Sequence, residues 1–199
     1  MTYAALKAQI RRLTPDRFKA TALAVFNYQY ENNVLYQQFV DLLGISPHTV
    51  QELNDIPHLP IELFKYHTIQ TEIWTPKQIF NSSGTTQQQP AQHWVRDLVW
   101  YRDHAFAAFE AQYGPLQQYV VLALLPSYLE RQGSSLVFMV DQFIQRSQQK
   151  ESGFFLYNTT ELADILQACE RRAQPVLLLG VTYALLDLAE AHPQPLHHT

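Results

Sequence analysis

The sequence predicts an α/β fold, in which a mostly parallel sheet is flanked by helices and preceded by an N-terminal helical segment. Three short apolar runs, at 120–125, 153–157 and 175–180, alternate with segments of helical periodicity. Continuous apolar strands joined by helices are typical of a parallel sheet covered on both faces. The chain has 199 residues, of which 47% are hydrophobic, and this is enough to bury a sizeable core.

The first part of the chain is predicted to be helical. Thr14 is a candidate N-cap, and Pro15 follows it at the first helical position, which is a strong start signal. Apolar residues then recur on one helical face until Gly44, which fits a C-cap. We therefore expect a helical segment over 1–45 that packs on the main domain, and an α/β domain over 46–199.

The elements of the second part follow from periodicity and punctuation. Residues 45–77 contain four prolines and no sustained periodicity, so an irregular stretch is expected there. The apolar residues at 78–80 predict the end of a strand. Ser134 is positioned as an N-cap, and so is Thr159 or Thr160. The helices that alternate with the strands are expected at 92–112, 134–148, 159–172 and 181–191.

Composition limits the function classes. The net charge of −4 is spread without blocks, which argues against a nucleic acid or an anionic membrane surface as the main partner. A single cysteine, Cys169, excludes an internal disulfide and fits a reducing cytosol. The longest apolar run, 120–125, is too short to span a bilayer, and no signal-peptide pattern opens the chain. We expect a soluble, cytoplasmic protein.

The first candidate binding site is a loop of small hydroxyl residues around one glycine. Gly84 allows the backbone to approach an anion closely or to take a positive φ, and successive N–H groups in that conformation bind anions. The flanking hydroxyl donors belong to Ser82, Ser83, Thr85 and Thr86. By spacing alone, a turn that caps the next helix is the commoner explanation. The loop is not of the Walker type, because glutamines follow it where that motif needs a lysine.

Four segments, taken in order, resemble a known family. The loop, Phe80 to Thr86, looks like the phosphate-binding motif of the adenylate-forming enzymes, which include the acyl- and aryl-CoA synthetases. Segments 60–65, 125–136 and 180–188 resemble the corresponding parts of the LuxE-like acyl-protein synthetases. Together the segments cover about 57–190, and their common order favours the phosphate-loop interpretation over the simple turn.

This resemblance implies ATP-dependent activation of a carboxylic acid. The carboxylate attacks the α-phosphate, pyrophosphate leaves, and the acyl adenylate passes its acyl group to a thiol of a protein cysteine or of coenzyme A. In LuxE-like enzymes the acid is a fatty acid, and the acyl group moves through an enzyme cysteine toward an acyl reductase partner. The residues that match the motif and would hold the phosphates of ATP, with Mg²⁺, are Ser82, Ser83, Gly84, Thr85 and Thr86.

The chain departs from the family pattern in ways that limit the prediction. Gln87 stands where the family usually has a glycine, and the family's C-terminal lysine has no counterpart because Lys150 is the last lysine. No catalytic residue and no metal ligand can be named. We expect an N-terminal part of such an enzyme, truncated or one half of a split protein, and inactive alone. The alternative is a non-catalytic nucleotide- or acyl-binding subunit, or a scaffold with a degenerate phosphate loop.

The remaining candidates favour ordinary structural roles. Cys169 is expected to be a buried apolar residue and not an acyl-accepting thiolate. His93 and Asp97 are expected on one face of the helix at 92–112, as a surface pair, and the histidines of 192–198 in a flexible, solvated tail. Aromatic residues at helical spacing are more often core than the lining of an acyl tunnel. These residues are Trp94, Trp100, Tyr101, Phe106 and Phe109.

Overall fold

The computed structural model describes residues 1–82, 89–125 and 133–199, and over these ranges the architecture is α/β, as predicted. The helices are α1 (Tyr3–Arg11), α2 (Phe18–Asn32), α3 (Val34–Leu42), α4 (Leu63–Tyr66), α5 (Leu98–Tyr113), α6 (Ser135–Ser147), α7 (Thr159–Arg171) and α8 (Thr182–Ala191). The strands are β1 (Gln78–Asn81), β2 (Gln92–Val95), β3 (Val120–Leu124), β4 (Gly153–Phe154) and β5 (Val176–Gly180). Within the described ranges, no helix has the length and apolar character needed to cross a membrane.

The described residues divide into two compact units. The helical unit comprises residues 1–76 with 89–94, and the α/β unit comprises 77–82, 95–125 and 133–199. The domain boundary expected from the sequence stays a prediction, because compactness alone does not show which parts fold independently.

Helices α2 and α3 form the core of the helical unit. Phe26, Tyr36 and Val40 are buried there, and the rings of Phe26 and Tyr36 meet in a T-shaped arrangement with centroids 6.2 Å apart. The predicted helix start is close to the observed one. Thr14 has an extended backbone, and the 3₁₀ turn Pro15–Arg17 leads directly into α2.

The end of α3 is the glycine C-cap that the sequence predicts. Gly44 has a φ of +69°, which glycine adopts without steric strain. Its N–H donates to the carbonyl of Asp41 at 3.0 Å, and the N–H of Ile45 donates to the carbonyl of Val40 at 3.3 Å. These two hydrogen bonds form a Schellman motif, after which the irregular stretch begins.

Hydrogen bonds fix that irregular stretch to the helices of its own unit. The Tyr36 hydroxyl donates to the carbonyl of Pro57 at 2.6 Å, and the Tyr28 hydroxyl donates to the carboxylate of Glu72. The N–H of Glu72 donates to the carbonyl of Asn32 at 2.8 Å. The stretch therefore has a defined path although it contains only short 3₁₀ turns and α4.

The α/β unit is organised around a three-stranded sheet in the order β4-β3-β5, and both pairings are parallel. Leu122 pairs with Gly153 on one side and with Leu178 on the other, and Leu124 pairs with Gly180. The strand β3 is buried at every residue, as expected for a central strand of a covered sheet.

Side chains of β3 alternate between two packed faces. The first face consists of Val120, Leu122 and Leu124, in a cluster with Leu162, Leu166, Cys169 and Leu188 of α7 and α8. Val121 and Ala123 form the second face, which Leu125 continues. They lie in clusters with Leu116 and with Val140 and Phe143 of α6. Because burying each large apolar side chain contributes about 1.5–3 kcal/mol, this layer is the main stabilising core of the unit.

Three local expectations change. The helix expected at 92–112 begins only at Leu98, because 92–95 forms β2. The aromatic and β-branched residues Trp94 and Val95 favour a strand, and Asp97 ends it by accepting a hydrogen bond from the N–H of Trp100 as N-cap of α5.

The other two changes are smaller. The strand expected at 153–157 is limited to Gly153–Phe154. The helix α7 is preceded by Asn158 and not by a threonine cap, and the Asn158 side-chain amide donates to Glu161 at 3.1 Å. Ser134 caps α6 as predicted, since its hydroxyl accepts a hydrogen bond from the N–H of Val137 at 3.4 Å.

Candidate functional site

The structure shows how the small-hydroxyl loop begins. The strand expected at 78–80 is present as β1, which ends at Asn81, and the exposed Ser82 follows it. The other predicted phosphate-binding residues, Ser83, Gly84, Thr85 and Thr86, lie outside the described residues. Their role in binding ATP and Mg²⁺ therefore stays a prediction.

A backbone contact joins the start of this loop to a second segment of the resemblance. The N–H of Asn81 donates to the carbonyl of Gly133 at 2.8 Å. Gly133 has a φ of +84°, and a Cβ at this position would lie 2.9 Å from the Asn81 side-chain nitrogen and 3.6 Å from the carbonyl oxygen of Ile79. The positive φ therefore favours glycine, and any Cβ here would displace the Asn81 side-chain amide. We call this contact the Asn81–Gly133 junction.

Aromatic packing holds the strand just before the junction. Phe80 is only 3% exposed, and its ring lies 5.3 Å from that of Tyr101 and 5.5 Å from that of Phe138, between centroids. These partners belong to α5 and α6, respectively. Such aromatic pairs contribute about 0.5–1.5 kcal/mol beyond the burial of their surface, so the strand that carries the loop is firmly anchored.

The carboxyl ends of two strands lead into two further segments of the resemblance, 125–136 and 180–188, whereas segment 60–65 lies in the helical unit. Leu124 and Gly180 are partners in the register of β3 and β5, and each lies at the end of its strand. A Cβ on Gly180 would lie 2.9 Å from the side chain of Leu185 and 3.3 Å from the Cβ of Leu124, so glycine allows α8 to pack closely against the sheet. Residues 126–132, which follow β3, lie outside the described residues.

The α/β unit thus brings the predicted segments together in two pairs. The junction joins the start of the small-hydroxyl loop to the residue that precedes α6, and the sheet register joins the ends of β3 and β5. In open α/β sheets, ligands bind beyond the carboxyl ends of the strands. Sequence analysis identified these segments but not the junction itself, whose only signal was an isolated glycine just before a helix cap.

The described residues contain no candidate metal-binding cluster. Within residues 1–82, 89–125 and 133–199, no group of three His, Cys, Asp or Glu side chains is placed to hold a metal ion. No ligand for Mg²⁺ is therefore assigned from the protein.

Cys169 is a core residue, as predicted. It is fully buried in the cluster between β3 and α7, and the guanidinium of Arg172 donates to its sulfur at 3.5 Å. The thiol is therefore not exposed to an acyl donor in this structure. The aromatic residues Phe106 and Phe109 are also part of a core, since their rings pack against Phe143 with centroids 5.9 and 5.2 Å apart.

The expected pairing of His93 and Asp97 is wrong. His93 lies in β2, whereas Asp97 caps α5, so the two do not share a helical face. Farther along α5, the carboxylate of Asp103 accepts from the guanidinium of Arg102 at 2.9 Å, and the His104 ring lies 2.9 Å from the carbonyl of Trp100.

The expected flexible tail is instead held by its backbone. The N–H groups of His197 and His198 donate to one carboxylate oxygen of Glu170, at 3.0 and 2.8 Å. The N–H of Val176, at the start of β5, donates to the carbonyl of His198 at 2.8 Å. Sequence analysis missed this contact because it depends on an N–H at the sheet edge, which no local pattern reveals. The side chains of the two histidines stay exposed, as expected.

Comparison with known proteins gives one partial match. Over 62 residues, or 31% of this chain, the sequence is 40% identical to the long-chain-fatty-acid–luciferin-component ligase of Vibrio harveyi. The match covers 16% of that ligase, so it supports only a loose relationship. No family model matches the chain. No solved structure matches it either.

Proposed function

We propose that this chain is part of a cytoplasmic ligase that activates a fatty or other carboxylic acid with ATP and Mg²⁺. The proposed product is an acyl adenylate, whose acyl group then passes to a thiol. Support comes from the partial match to a fatty-acid ligase and from the α/β fold. The observation that carries the proposal is the Asn81–Gly133 junction, which joins two segments of the resemblance in three dimensions.

The junction supports a phosphate site because it holds Asn81, the residue from which the small-hydroxyl loop begins. The small-hydroxyl loop follows directly from Asn81, and β1 is anchored through Phe80. A loop that begins from a rigid strand can present its N–H groups and hydroxyls in one arrangement, which reduces the cost of ordering them around a ligand. The proposed donors to the β- and γ-phosphates are Ser82, Ser83, Gly84, Thr85 and Thr86.

The first chemical step requires little covalent chemistry from the protein. A carboxylate oxygen of the acid bonds to the α-phosphorus, and the bond from that phosphorus to pyrophosphate breaks. The protein's part is to hold the phosphates in line and to stabilise the charge that develops on them. Mg²⁺ would enter bound to the phosphates of ATP, and it usually keeps several of its water ligands there.

The acceptor in the second step is proposed to be a thiol other than Cys169. The sulfur of Cys169 is fully buried, so it is not available for acyl transfer. The acceptor is then a cysteine elsewhere in a protein or coenzyme A, and an acyl reductase is the proposed partner that receives the acyl group in an enzyme of this type.

Calorimetric titration of the chain tests the phosphate site. The ligands are Mg·ATP and a non-hydrolysable acyl-adenylate analogue, and the variant is Gly84→Val. The control is Gln89→Val, which adds the same side chain at an exposed position just outside the motif. We expect saturable binding that is lost in Gly84→Val and retained in Gln89→Val. Binding that survives Gly84→Val would show that the loop is not the phosphate site.

An exchange assay separates the proposed enzyme from its alternative. Because the chain is expected to be inactive alone, the assay uses the full-length protein of which it is proposed to be part. Incorporation of labelled pyrophosphate into ATP, in the presence of a fatty acid, then reports the adenylation step directly. Binding without exchange would favour a non-catalytic nucleotide-binding subunit, whereas binding with exchange would establish the ligase chemistry.

A further inference from the structure

The helical unit contains a pocket that sequence analysis did not predict. Its volume is about 420 Å³, which lies within the range of about 300–1,000 Å³ that is usual for small-molecule sites. The pocket is bounded by α1, α2, the start of α3 and the stretch that leads through 56–69. Its apolar walls include Ile10, Ala22, Val25, Phe26, Leu59 and Phe64.

Polar atoms in the walls are already paired within the protein. The Thr21 hydroxyl accepts from the Gln9 amide at 3.1 Å, and the side-chain oxygen of Asn33 accepts from the N–H of Tyr36 at 3.1 Å. The Tyr36 hydroxyl donates to Pro57, and burial raises the pKa of this phenol, so it stays neutral. A wall of apolar groups and satisfied polar groups favours an uncharged, apolar occupant.

The exposed residues of the lining have a different character. Leu13 and Phe18 line the pocket and are 40% and 51% exposed, so two large apolar side chains stand at its edge. Gln29 and His58 also line it and are exposed. The Gln29 amide and the His58 imidazole can each donate a hydrogen bond to an occupant. An occupant with an apolar tail and a polar or anionic head would place the head here.

We infer that this pocket binds the alkyl chain of a fatty acid, with the carboxyl group beside Gln29 and His58. The shape and lining indicate a single-chain amphiphile, and the choice of a fatty acid rests on the proposed function. The described residues that line this pocket all belong to the helical unit.

The test is a titration with dodecanoate in the absence of nucleotide, below the concentration at which the acid forms micelles. The variant Ala22→Leu adds three carbons inside the pocket, and the control Ala20→Leu makes the same change at an exposed position of the same helix. We expect one equivalent of dodecanoate to bind the wild-type chain, at least tenfold weaker binding to Ala22→Leu, and unchanged binding to Ala20→Leu.

Two further measurements locate the ligand without relying on that variant. Nuclear Overhauser contacts between the dodecanoate chain and the methyl groups of Ile10 and Val25 are expected, even if Ala22→Leu fails to fold. His58→Leu should weaken binding of dodecanoate more than binding of dodecanol, because a hydrogen bond to a carboxylate is stronger than one to a neutral hydroxyl.

The inference is overturned if dodecanoate does not bind, if both leucine variants weaken binding equally, or if the contacts arise from methyl groups outside the pocket. Since nucleotide is absent, these outcomes do not bear on the titration with Mg·ATP. The proposal for the pocket and the proposal for the phosphate site are therefore tested with different ligands and different variants.

Discussion

Replacing Gly133 with alanine perturbs the Asn81–Gly133 junction directly. Alanine at a φ of +84° costs about 1–2 kcal/mol, since the Cβ meets the backbone in this region. The new Cβ would also lie 2.9 Å from the Asn81 side-chain nitrogen, so the side-chain amide must move. If the backbone moves with it and the hydrogen bond from the N–H of Asn81 to the carbonyl of Gly133 is lost, the net loss is about 0.5–1.5 kcal/mol more. We expect Gly133→Ala to lower the free energy of unfolding by about 2–3 kcal/mol.

Gly44→Ala is the matched control for backbone strain. Gly44 has a φ of +69°, and a Cβ there has no neighbouring atom within 4 Å. Its cost should therefore be only the backbone term of about 1–2 kcal/mol. Adding Asn81→Ala to Gly133→Ala removes the crowded amide, so the extra cost of Gly133→Ala beyond Gly44→Ala should shrink. All of these differences are measured by urea unfolding.

The junction's role in binding is read from the affinity for Mg·ATP. Gly133→Ala should weaken that affinity, because it displaces the residue from which the small-hydroxyl loop begins, whereas Gly44→Ala should leave it unchanged. Equal unfolding costs for the two alanine variants, together with equal affinities for Mg·ATP, would refute the reasoning. The junction would then be a local backbone contact that does not position the loop.

Three further predictions concern the core and the helix ends of the α/β unit. Leu122→Ala should cost about 2–5 kcal/mol in urea unfolding, because Leu122 is fully buried in the central strand. Ala173→Gly should stabilise the chain by about 1 kcal/mol, because Ala173 has a φ of +50°. The same change at Ala168, within α7, should destabilise by about 1 kcal/mol, and equal signs would contradict the argument. The backbone N–H groups of 198 and then 197 lower the pKa of the Glu170 carboxyl. The tail contact should therefore be complete above the ordinary carboxyl pKa and lost as pH falls through the lowered pKa. Amide exchange at 197–198 measures this loss, and Glu170→Gln is the control.

The sheet could be predicted because its signal is local. The apolar run at 120–125 has the length and composition of a buried strand, and β3 is indeed buried throughout. The run at 153–157 gave too long a strand, because β4 ends at Phe154. The N–H of Phe155 still donates to the carbonyl of Ala123 at 2.8 Å, and its side chain is buried in the core. Periodicity thus predicted which residues are buried better than it predicted which residues belong to a strand of the sheet.

The errors have a common physical origin in contacts between distant residues. The start of the helix at 92–112 was misplaced because β2 precedes it, with Val95 accepting a hydrogen bond from the N–H of Lys77. The tail at 192–198 was expected to be flexible because its partners, Glu170 and Val176, are distant in sequence. The same limit applies to the pocket of the helical unit, whose walls come from four separate segments.

The two proposed sites are formed by different residues, and this makes their roles separable by mutation. The proposed phosphate site is tested at the Asn81–Gly133 junction, whereas the pocket proposed for the fatty acid is lined by residues between Ile10 and Ile69. If Gly133→Ala weakens Mg·ATP but not dodecanoate, and Ala22→Leu does the reverse, each ligand is assigned to its own site. If either variant weakens both ligands, the sites are energetically coupled, and by thermodynamic linkage the same factor must appear whichever ligand is titrated second. A ligase that joins an acid to a nucleotide needs both substrates at once, so this coupling is the next property to measure.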